Sequence, residues 1–166
     1  MPLLTRRAFV IATGATLVSL LSGCGHSDDA QSSGDAGDLD AADFTHGVAS
    51  GDPLTDAVVL WTRAVAVTVG AMSARVRYVI ARDPAFADVV IRGTVVAVAE
   101  RDWTIKLDLR DLAADTAYYY HFESANAVSA AGRARTAPEG EVARLRLAFV
   151  TCSSFITGYF HAYRRV

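Results

Sequence analysis

The sequence Trp103-Thr-Ile-Lys-Leu-Asp-Leu-Arg110 decides the fold class, because apolar and polar side chains alternate through it without interruption. Every second residue is large and apolar, and each residue between is polar or charged. An alternation with a period of two places one row of side chains in a core and the other row in water. This pattern is typical of a β-strand in an antiparallel sheet with one solvated face.

Segments with strand character also lie on both sides of this stretch. They are short, are rich in β-branched or aromatic residues, and are separated by turn sequences such as Gly51-Asp-Pro53 and Asp83-Pro84. The predicted strands include residues 57–62, 74–80, 89–99 and 132–136. Gly93 is a candidate bulge in the third of these. About seven short strands with frequent turns make an all-β sandwich the best interpretation of residues 44–137.

The sequence Leu112-Ala-Ala-Asp-Thr-Ala-Tyr-Tyr-Tyr-His-Phe122 resembles the tyrosine corner of fibronectin type III domains. Leu112, Thr116, Tyr118 and Tyr120 fall at the offsets of that motif, in which the hydroxyl of the first tyrosine returns to the upstream backbone. The resemblance implies a fibronectin III/Ig-like β-sandwich. A run of aromatic residues on some other sheet is the alternative.

The first 24 residues have the layout of an export signal. Arg6 and Arg7 form its positive region, and the apolar run of residues 8–21 is shorter than the roughly 20 residues that a membrane-spanning helix needs. The paired arginines, with Phe9 two residues later, resemble the twin-arginine signal. In the alternative interpretation they are ordinary arginines of a signal peptide.

A candidate lipid anchor and a linker follow this signal. Leu21-Ser-Gly-Cys24 resembles the lipobox of bacterial lipoproteins, in which the cysteine carries the lipid. The resemblance implies that Cys24 anchors the protein to a membrane; a free or disulfide-bonded Cys24 is the alternative. Residues 25–43 contain six aspartates and too few large apolar side chains to fold alone, so we expect a flexible acidic linker.

Residues 144–166 differ in character from the predicted sandwich. Residues 145–150 form a mostly apolar run that suits a buried strand, and aromatic residues at helical offsets follow it. Between them, Cys152 occupies the expected carboxyl end of the strand, where α/β sheets hold their functional groups. After a linker at 138–143, we expect the first strand-loop-helix of a truncated α/β domain that continues beyond Val166. The alternative is that Cys152 is a small buried residue.

Composition limits the classes of function. With 52% apolar residues the chain can form a core, and its formal net charge of −2 argues against nucleic acid as a binding partner. The two cysteines, Cys24 and Cys152, cannot make a disulfide framework, so each needs its own explanation.

Three separate stretches resemble the amino-terminal part of PhoD-type alkaline phosphatases. They are Phe44-Thr-His-Gly-Val-Ala-Ser-Gly-Asp-Pro53, Gly132-Arg-Ala-Arg-Thr-Ala-Pro138 and Leu145-Arg-Leu-Ala-Phe-Val-Thr-Cys152. The resemblance implies an exported phosphatase and phosphodiesterase in which a small β-sandwich precedes a metallophosphatase domain. It also implies a phosphate-ester substrate and a location in the cell envelope, or secretion.

The same resemblance implies a metal centre of iron and calcium. It assigns Cys152 as a ligand of ferric iron, and the residues that would complete the site lie downstream in the family. We therefore expect this chain alone to hold no metal and to be inactive. The alternative function is a lipid-anchored β-sandwich for binding or adhesion, without catalysis.

Several other polar residues have two interpretations each. His46 lies near the first strand and is either close to an active-site cleft or solvated. His121 alternates with Tyr120, which predicts that it lies on the opposite face of the sheet. Arg133 and Arg135 share a face, which suits either phosphate attraction or a solvated sheet edge.

Overall fold

The structure of the protein is a computed structural model that describes residues 38–144, 148, 149 and 154. These residues contain nine strands and one 3-10 helix. In chain order they are β1 (Ala42–Asp43), β2 (Val48–Gly51), β3 (Val58–Arg63), β4 (Val65–Ala66), β5 (Ser73–Ala81), β6 (Val89–Val98), the helix Ala99–Arg101, β7 (Thr104–Leu109), β8 (Ala117–Glu123) and β9 (Gly132–Arg135). Within this part of the chain, no helix has the length and apolar character of a membrane span. The predicted strand-loop-helix of 144–166 lies almost wholly outside the described residues.

Two antiparallel sheets pack on a common core, which confirms the predicted fibronectin III/Ig-like β-sandwich. One sheet has the strand order β2-β3-β7 and the other β6-β5-β8-β9, while β1 and β4 form a separate short pair. Buried side chains from both sheets belong to one apolar cluster, which includes Leu60 and Leu107 from the first sheet and Val76, Tyr120 and Phe122 from the second. The core therefore lies between the sheets, as it does in β-sandwiches generally.

The alternation at 103–110 produces β7 as predicted. Ile105, Leu107 and Leu109 are buried, and the residues between them are exposed. The strand begins at Thr104 because Trp103 has a left-handed backbone, with a φ of 59°. The side chain of Trp103 nevertheless packs against the core.

The predicted tyrosine corner is confirmed. The side chain of Tyr118 is buried, and its hydroxyl accepts a 2.9 Å hydrogen bond from the backbone N–H of Ala113. Leu112 is buried in the core cluster beside this corner. The hydroxyl of Thr116 donates a 2.8 Å bond to the carbonyl of Ala114, which holds the turn before β8.

The predicted bulge at Gly93 is wrong. Gly93 pairs in regular register with Tyr78, and the register shifts instead between Ile80 and Ala81. A side chain on Gly93 would collide with the ring and hydroxyl of Tyr78, which covers this position. A glycine is therefore needed at this position because the ring of Tyr78 occupies the space that a side chain would fill.

Folded structure begins earlier than the predicted boundary at residue 44. The N–H of Asp40 donates to the carbonyl of Arg75 (2.9 Å), and the N–H of Arg75 donates to a carboxylate oxygen of Asp40 (2.8 Å). Ala42 is fully buried and belongs to β1. The last residues of the predicted acidic linker are thus part of the sandwich, held by backbone pairing rather than by large apolar side chains. The remainder of that linker, up to residue 37, lies outside the described residues.

The loops fall into two groups at opposite ends of the sandwich. The upper end holds residues 38–47, 64–72, 99–103 and 124–131, and the lower end holds residues 52–57, 82–88 and 110–116. The chain leaves β9 at the lower end, where the N–H of Ala137 donates to the carbonyl of Leu54 (2.9 Å).

Candidate functional site

The residues predicted to carry function are not among those that the structure describes. Arg6, Arg7, Cys24 and Cys152 all fall outside them. Within the described ranges, no group of three or more His, Cys, Asp or Glu side chains is placed to hold a metal ion. The metal site therefore remains a prediction from the sequence.

His46 lies in an ion-pair cluster at the upper end. Arg63 donates to the carboxylate of Asp102 at 2.6 Å and to its carbonyl at 2.9 Å, and the Nδ1 atom of His46 lies 3.5 Å from Arg63 and 2.9 Å from the hydroxyl of Thr45. The hydrogen bond from Arg63 lowers the pKa of the Asp102 carboxyl. Because His46 and Asp102 are exposed, water competes with these contacts. The ion pair between Arg63 and Asp102 therefore contributes little to stability. His46 is thus solvated, and it lies at the end opposite to the one from which the chain continues.

His121 faces outward from the four-stranded sheet, as predicted. Its Nε2 atom lies 2.9 Å from Oε1 of Glu123, and Arg77 donates to Oε2 of the same carboxylate at 3.2 Å. Burial alone would raise the pKa of Glu123, but the bonds from His121 and Arg77 outweigh it, and the pKa is lowered. Glu123 is therefore ionised at neutral pH, and its bond with Arg77 joins β8 to β5 across this face.

The loop between β5 and β6 covers His121. Asp83 accepts hydrogen bonds from the N–H groups of Ala85 (2.9 Å) and Asp88 (2.6 Å), which lower the pKa of its carboxyl. The loop held in this way carries Phe86, whose ring centre lies 4.2 Å from that of His121. Phe86 has a φ of 57°, a left-handed conformation that nothing in its side chain favours, so the sequence predicted the turn but not this contact.

Arginines are concentrated on the outer face of the four-stranded sheet. The strand register places Arg75, Arg77, Arg92, Arg133 and Arg135 on it together with His121. Arg133 and Arg135 therefore share a face, as predicted, and they lie on the edge strand β9. Arg135 pairs with Asp115 at 2.8 Å. That this face attracts phosphate stays a prediction.

An open groove of about 440 Å³ lies at the lower end, and the sequence did not predict it. Its lining residues are Arg82, Val90, Ile91, Asp111, Leu112, Ala113 and Tyr118. Arg82 also contacts Asp88 at 3.4 Å. The lining holds one cationic side chain, Arg82, and one carboxylate, Asp111, among mostly apolar residues.

Comparison with known proteins assigns the family. The family model of the PhoD-like phosphatase N-terminal domain matches residues 29–138, about two thirds of the chain. The chain belongs to this PhoD-like family. The last strand of its sandwich ends at Arg135, three residues before the end of the match, and the match begins inside the predicted acidic linker.

Two relatives of the PhoD-like domain agree with this assignment. Alkaline phosphatase D of Bacillus subtilis is 35% identical over 130 residues, which cover 74% of this chain and 22% of that protein. A solved structure of PhoD aligns with a TM-score of 0.54 and 34% identity, over 57% of this chain and 19% of its own length. The chain thus spans about a fifth of the length of these relatives.

A third alignment adds nothing to the fold assignment. A fibronectin type III domain of human contactin 1 aligns with 72% of the PhoD-like chain at 18% identity, with a TM-score of 0.40. The fibronectin-like character of the sandwich depends instead on its two sheets and on the bond between Ala113 and Tyr118.

Proposed function

We propose that this chain is the amino-terminal portion of an exported PhoD-like alkaline phosphatase and phosphodiesterase that hydrolyses phosphate esters. The observation that carries the proposal is the similarity to Bacillus alkaline phosphatase D. That alignment covers 74% of the chain, more than the range 29–138, so it extends beyond the sandwich on at least one side. The similarity to this enzyme is therefore not confined to the range of the family match.

The proposed division of the chain places the chemistry after the sandwich. We divide it into an export signal with a lipobox (1–24), a linker, the sandwich up to residue 137, a second linker (138–143) and the start of a metallophosphatase domain (144–166). Because the described residues form no metal site, none of them is assigned a part in hydrolysis. The sandwich is the domain that precedes the catalytic one, and its chain leaves at the lower end towards it.

Cys152 is the proposed iron ligand, at the carboxyl end of the strand predicted at 145–150. Thiolate sulfur is a soft, electron-donating ligand that suits a transition metal better than calcium, which takes oxygen ligands. Iron with calcium, held by further residues of the enzyme, would withdraw electron density from a phosphate ester and its attacking water. Cys152 would contribute by fixing the iron beside the end of the strand.

Export and anchoring complete the proposal. Arg6 and Arg7 direct the protein to the twin-arginine route, and lipidation of Cys24 holds it at the cell envelope. The paired arginines and the sequence Leu21-Ser-Gly-Cys24 support these two steps.

The experiment compares two proteins. One is this chain alone, and the other is a chimera of Bacillus alkaline phosphatase D in which this chain replaces the similar segment of that enzyme. Both are assayed with p-nitrophenyl phosphate and its bis-ester, after circular dichroism has shown that each is folded. We expect no turnover from the chain alone and turnover from the chimera, with the Bacillus enzyme as the control. Turnover by the chain alone would contradict the proposal. A folded but inactive chimera would favour the binding or adhesion module instead.

A further inference from the structure

The upper end of the sandwich exposes several apolar side chains. Val67 is 51% exposed, Met72 65%, Val128 63% and Val69 completely. Val69 occupies the tip of a turn in which the N–H of Ala71 donates to the carbonyl of Thr68 (3.1 Å), and Gly70 has the left-handed φ of 80° that such a turn needs. The backbone of the turn therefore directs the side chain of Val69 away from the sandwich. In the isolated domain this apolar side chain is in water.

The two loops that carry these side chains contain no charge. Residues 64–74 and 124–132 include no Asp, Glu, Lys or Arg. The loops of the lower end, in contrast, carry Asp52, Asp56, Arg82, Asp83, Asp88, Arg110, Asp111 and Asp115. The charged residues of the upper end lie on its other two segments. They are Asp38, Asp40 and Asp43 in the entering segment, where Asp43 accepts a bond from Asn126, and Glu100, Arg101 and Asp102 in 99–103, where Asp102 is paired with Arg63. The upper end thus presents two uncharged loops, whereas each loop of the lower end carries charged residues.

The amino-terminal segment enters the sandwich between these same two loops. The N–H of Val67 donates to the carbonyl of Ala41 (3.0 Å), and the N–H of Ala125 donates to the carbonyl of Asp40 (3.0 Å). The chain before residue 38 therefore arrives at the upper end. Thirteen residues, 25–37, separate it from Cys24. If they form the predicted flexible linker, their end-to-end distance is roughly 20 Å. A lipid on Cys24 would place the upper end closest to the bilayer.

We propose that the loops 67–72 and 124–128 insert their apolar side chains into the interface of a phospholipid membrane. This inference rests on the proposed function, because the proposed lipidation of Cys24 is what brings the protein to a membrane. The two loops would make a contact with the membrane that is separate from the lipid. Uncharged loops that expose Val and Met side chains can enter the boundary between headgroups and acyl chains without desolvating an ion of their own. The enzyme's remaining chain leaves at the lower end, so this contact would keep the catalytic domain's attachment point facing away from the lipid.

Separate exposed side chains suit a fluid bilayer better than they suit a protein partner. The exposed residues lie on two loops, and the groove described above lies at the lower end. A bilayer can close around separate projecting side chains, whereas a protein partner would need a matching pocket for each of them. Contact with a protein, including a second copy of this chain, is therefore an outcome that the test must detect.

The test uses the mature chain, residues 24–166, with Cys24→Ser, so that the loops act without the lipid. Removing residues 1–23 takes away none of the described contacts. Partition is measured by flotation with vesicles of phosphatidylcholine and phosphatidylglycerol. The variant Val69→Asp/Met72→Asp should lower partition about tenfold, because two apolar side chains then leave the membrane. The matched control is Leu54→Asp, which adds a charge at the lower end, where Leu54 is 43% exposed, and should not change partition.

Each result decides the proposal. Vesicle-dependent protection of the amides of residues 67–71 in hydrogen exchange, together with loss of partition in the double variant, would support it. Equal partition of both variants, or no partition of the parent, would overturn it. So would a change of oligomeric state on Val69→Asp in sedimentation without vesicles, since it would assign the upper end to contact between copies. Mass spectrometry of wild-type Cys24 tests the lipid separately, so a failed anchor and failed loops are distinguishable.

Discussion

The backbone N–H of Ala113 donates a 2.9 Å hydrogen bond to the hydroxyl of Tyr118, five residues later in the chain. This bond joins the loop after β7 to the strand β8 and so fixes the crossing from one sheet to the other. Tyr118 is buried and Ala113 lies in the loop, so the bond holds loop and core in one arrangement.

We expect Tyr118→Phe to lower the free energy of unfolding by about 1–2 kcal/mol, because the N–H of Ala113 loses its partner while the ring still fills the core. Tyr119→Phe is the matched control, since it removes the same atom from a half-exposed tyrosine on the outer face. Urea unfolding followed by tryptophan fluorescence measures both. Equal losses in the two variants would show that the corner bond adds nothing to stability.

We expect Gly93→Ala and Gly132→Ala each to lower the free energy of unfolding by about 1–3 kcal/mol. The new Cβ atoms would overlap the rings of Tyr78 and Tyr120, which are buried and cannot move without disturbing the core. Gly51→Ala is the control, because its Cβ would meet nothing within 4 Å. Thermal unfolding compares the three variants; an unchanged melting temperature for Gly93→Ala would contradict the packing described.

The lowered pKa of Glu123 predicts a loss of stability in acid. Because this pKa is lowered from the ordinary value of a glutamate, the charged form of Glu123 stabilises the fold above that ordinary value. The contribution is lost as the pH falls through the lowered pKa. When the pH is lowered from 7 to 3, the urea concentration at the midpoint of unfolding should therefore fall less for Glu123→Gln than for the wild type. If both lose the same amount, the contacts of Glu123 with Arg77 and His121 do not stabilise the fold.

Much of the sandwich follows from side-chain patterns in the sequence. The alternation at 103–110 predicted β7, and the spacing from Leu112 to Tyr120 predicted the corner bond as well as the strand. These predictions succeed because each depends on a period or an offset within one short stretch. The outward position of His121 followed from the same period of two.

The parts that sequence reasoning missed depend on contacts between distant segments. Asp40 pairs with Arg75 through the backbone, which no apolar pattern reveals. The sequence suggests a bulge at Gly93 because it does not show that the ring of Tyr78, on another strand, covers this position. Phe86 covers His121 only because its loop adopts a left-handed turn, and the groove beside Asp111 forms between two loops that are remote in sequence.

Export through Arg6 and Arg7 is tested by changing both to lysine. Lysine keeps the charge but not the guanidinium, so Arg6→Lys/Arg7→Lys should leave the precursor in the cytoplasm if the pair forms a twin-arginine signal. Immunoblots of cell fractions from a bacterium with that route measure the outcome. Cys24→Ser is the control, since it should still be exported but should lose its lipid. Normal export of the double-lysine variant would assign the signal to another route.

The central proposal is that this chain is part of a PhoD-like phosphatase and that Cys152 binds the catalytic iron of that enzyme. The decisive measurement is the iron content and bis-p-nitrophenyl phosphate turnover of the active chimera with Cys152→Ser, beside the same chimera with Cys24→Ser. We expect the Cys152→Ser variant to lose its iron. Its turnover should fall by more than the roughly 10–100-fold that is lost when a residue bonded to a metal ligand is changed. The Cys24→Ser variant should keep both its iron and its turnover. Full turnover with a normal iron content in the Cys152→Ser chimera would contradict the claim.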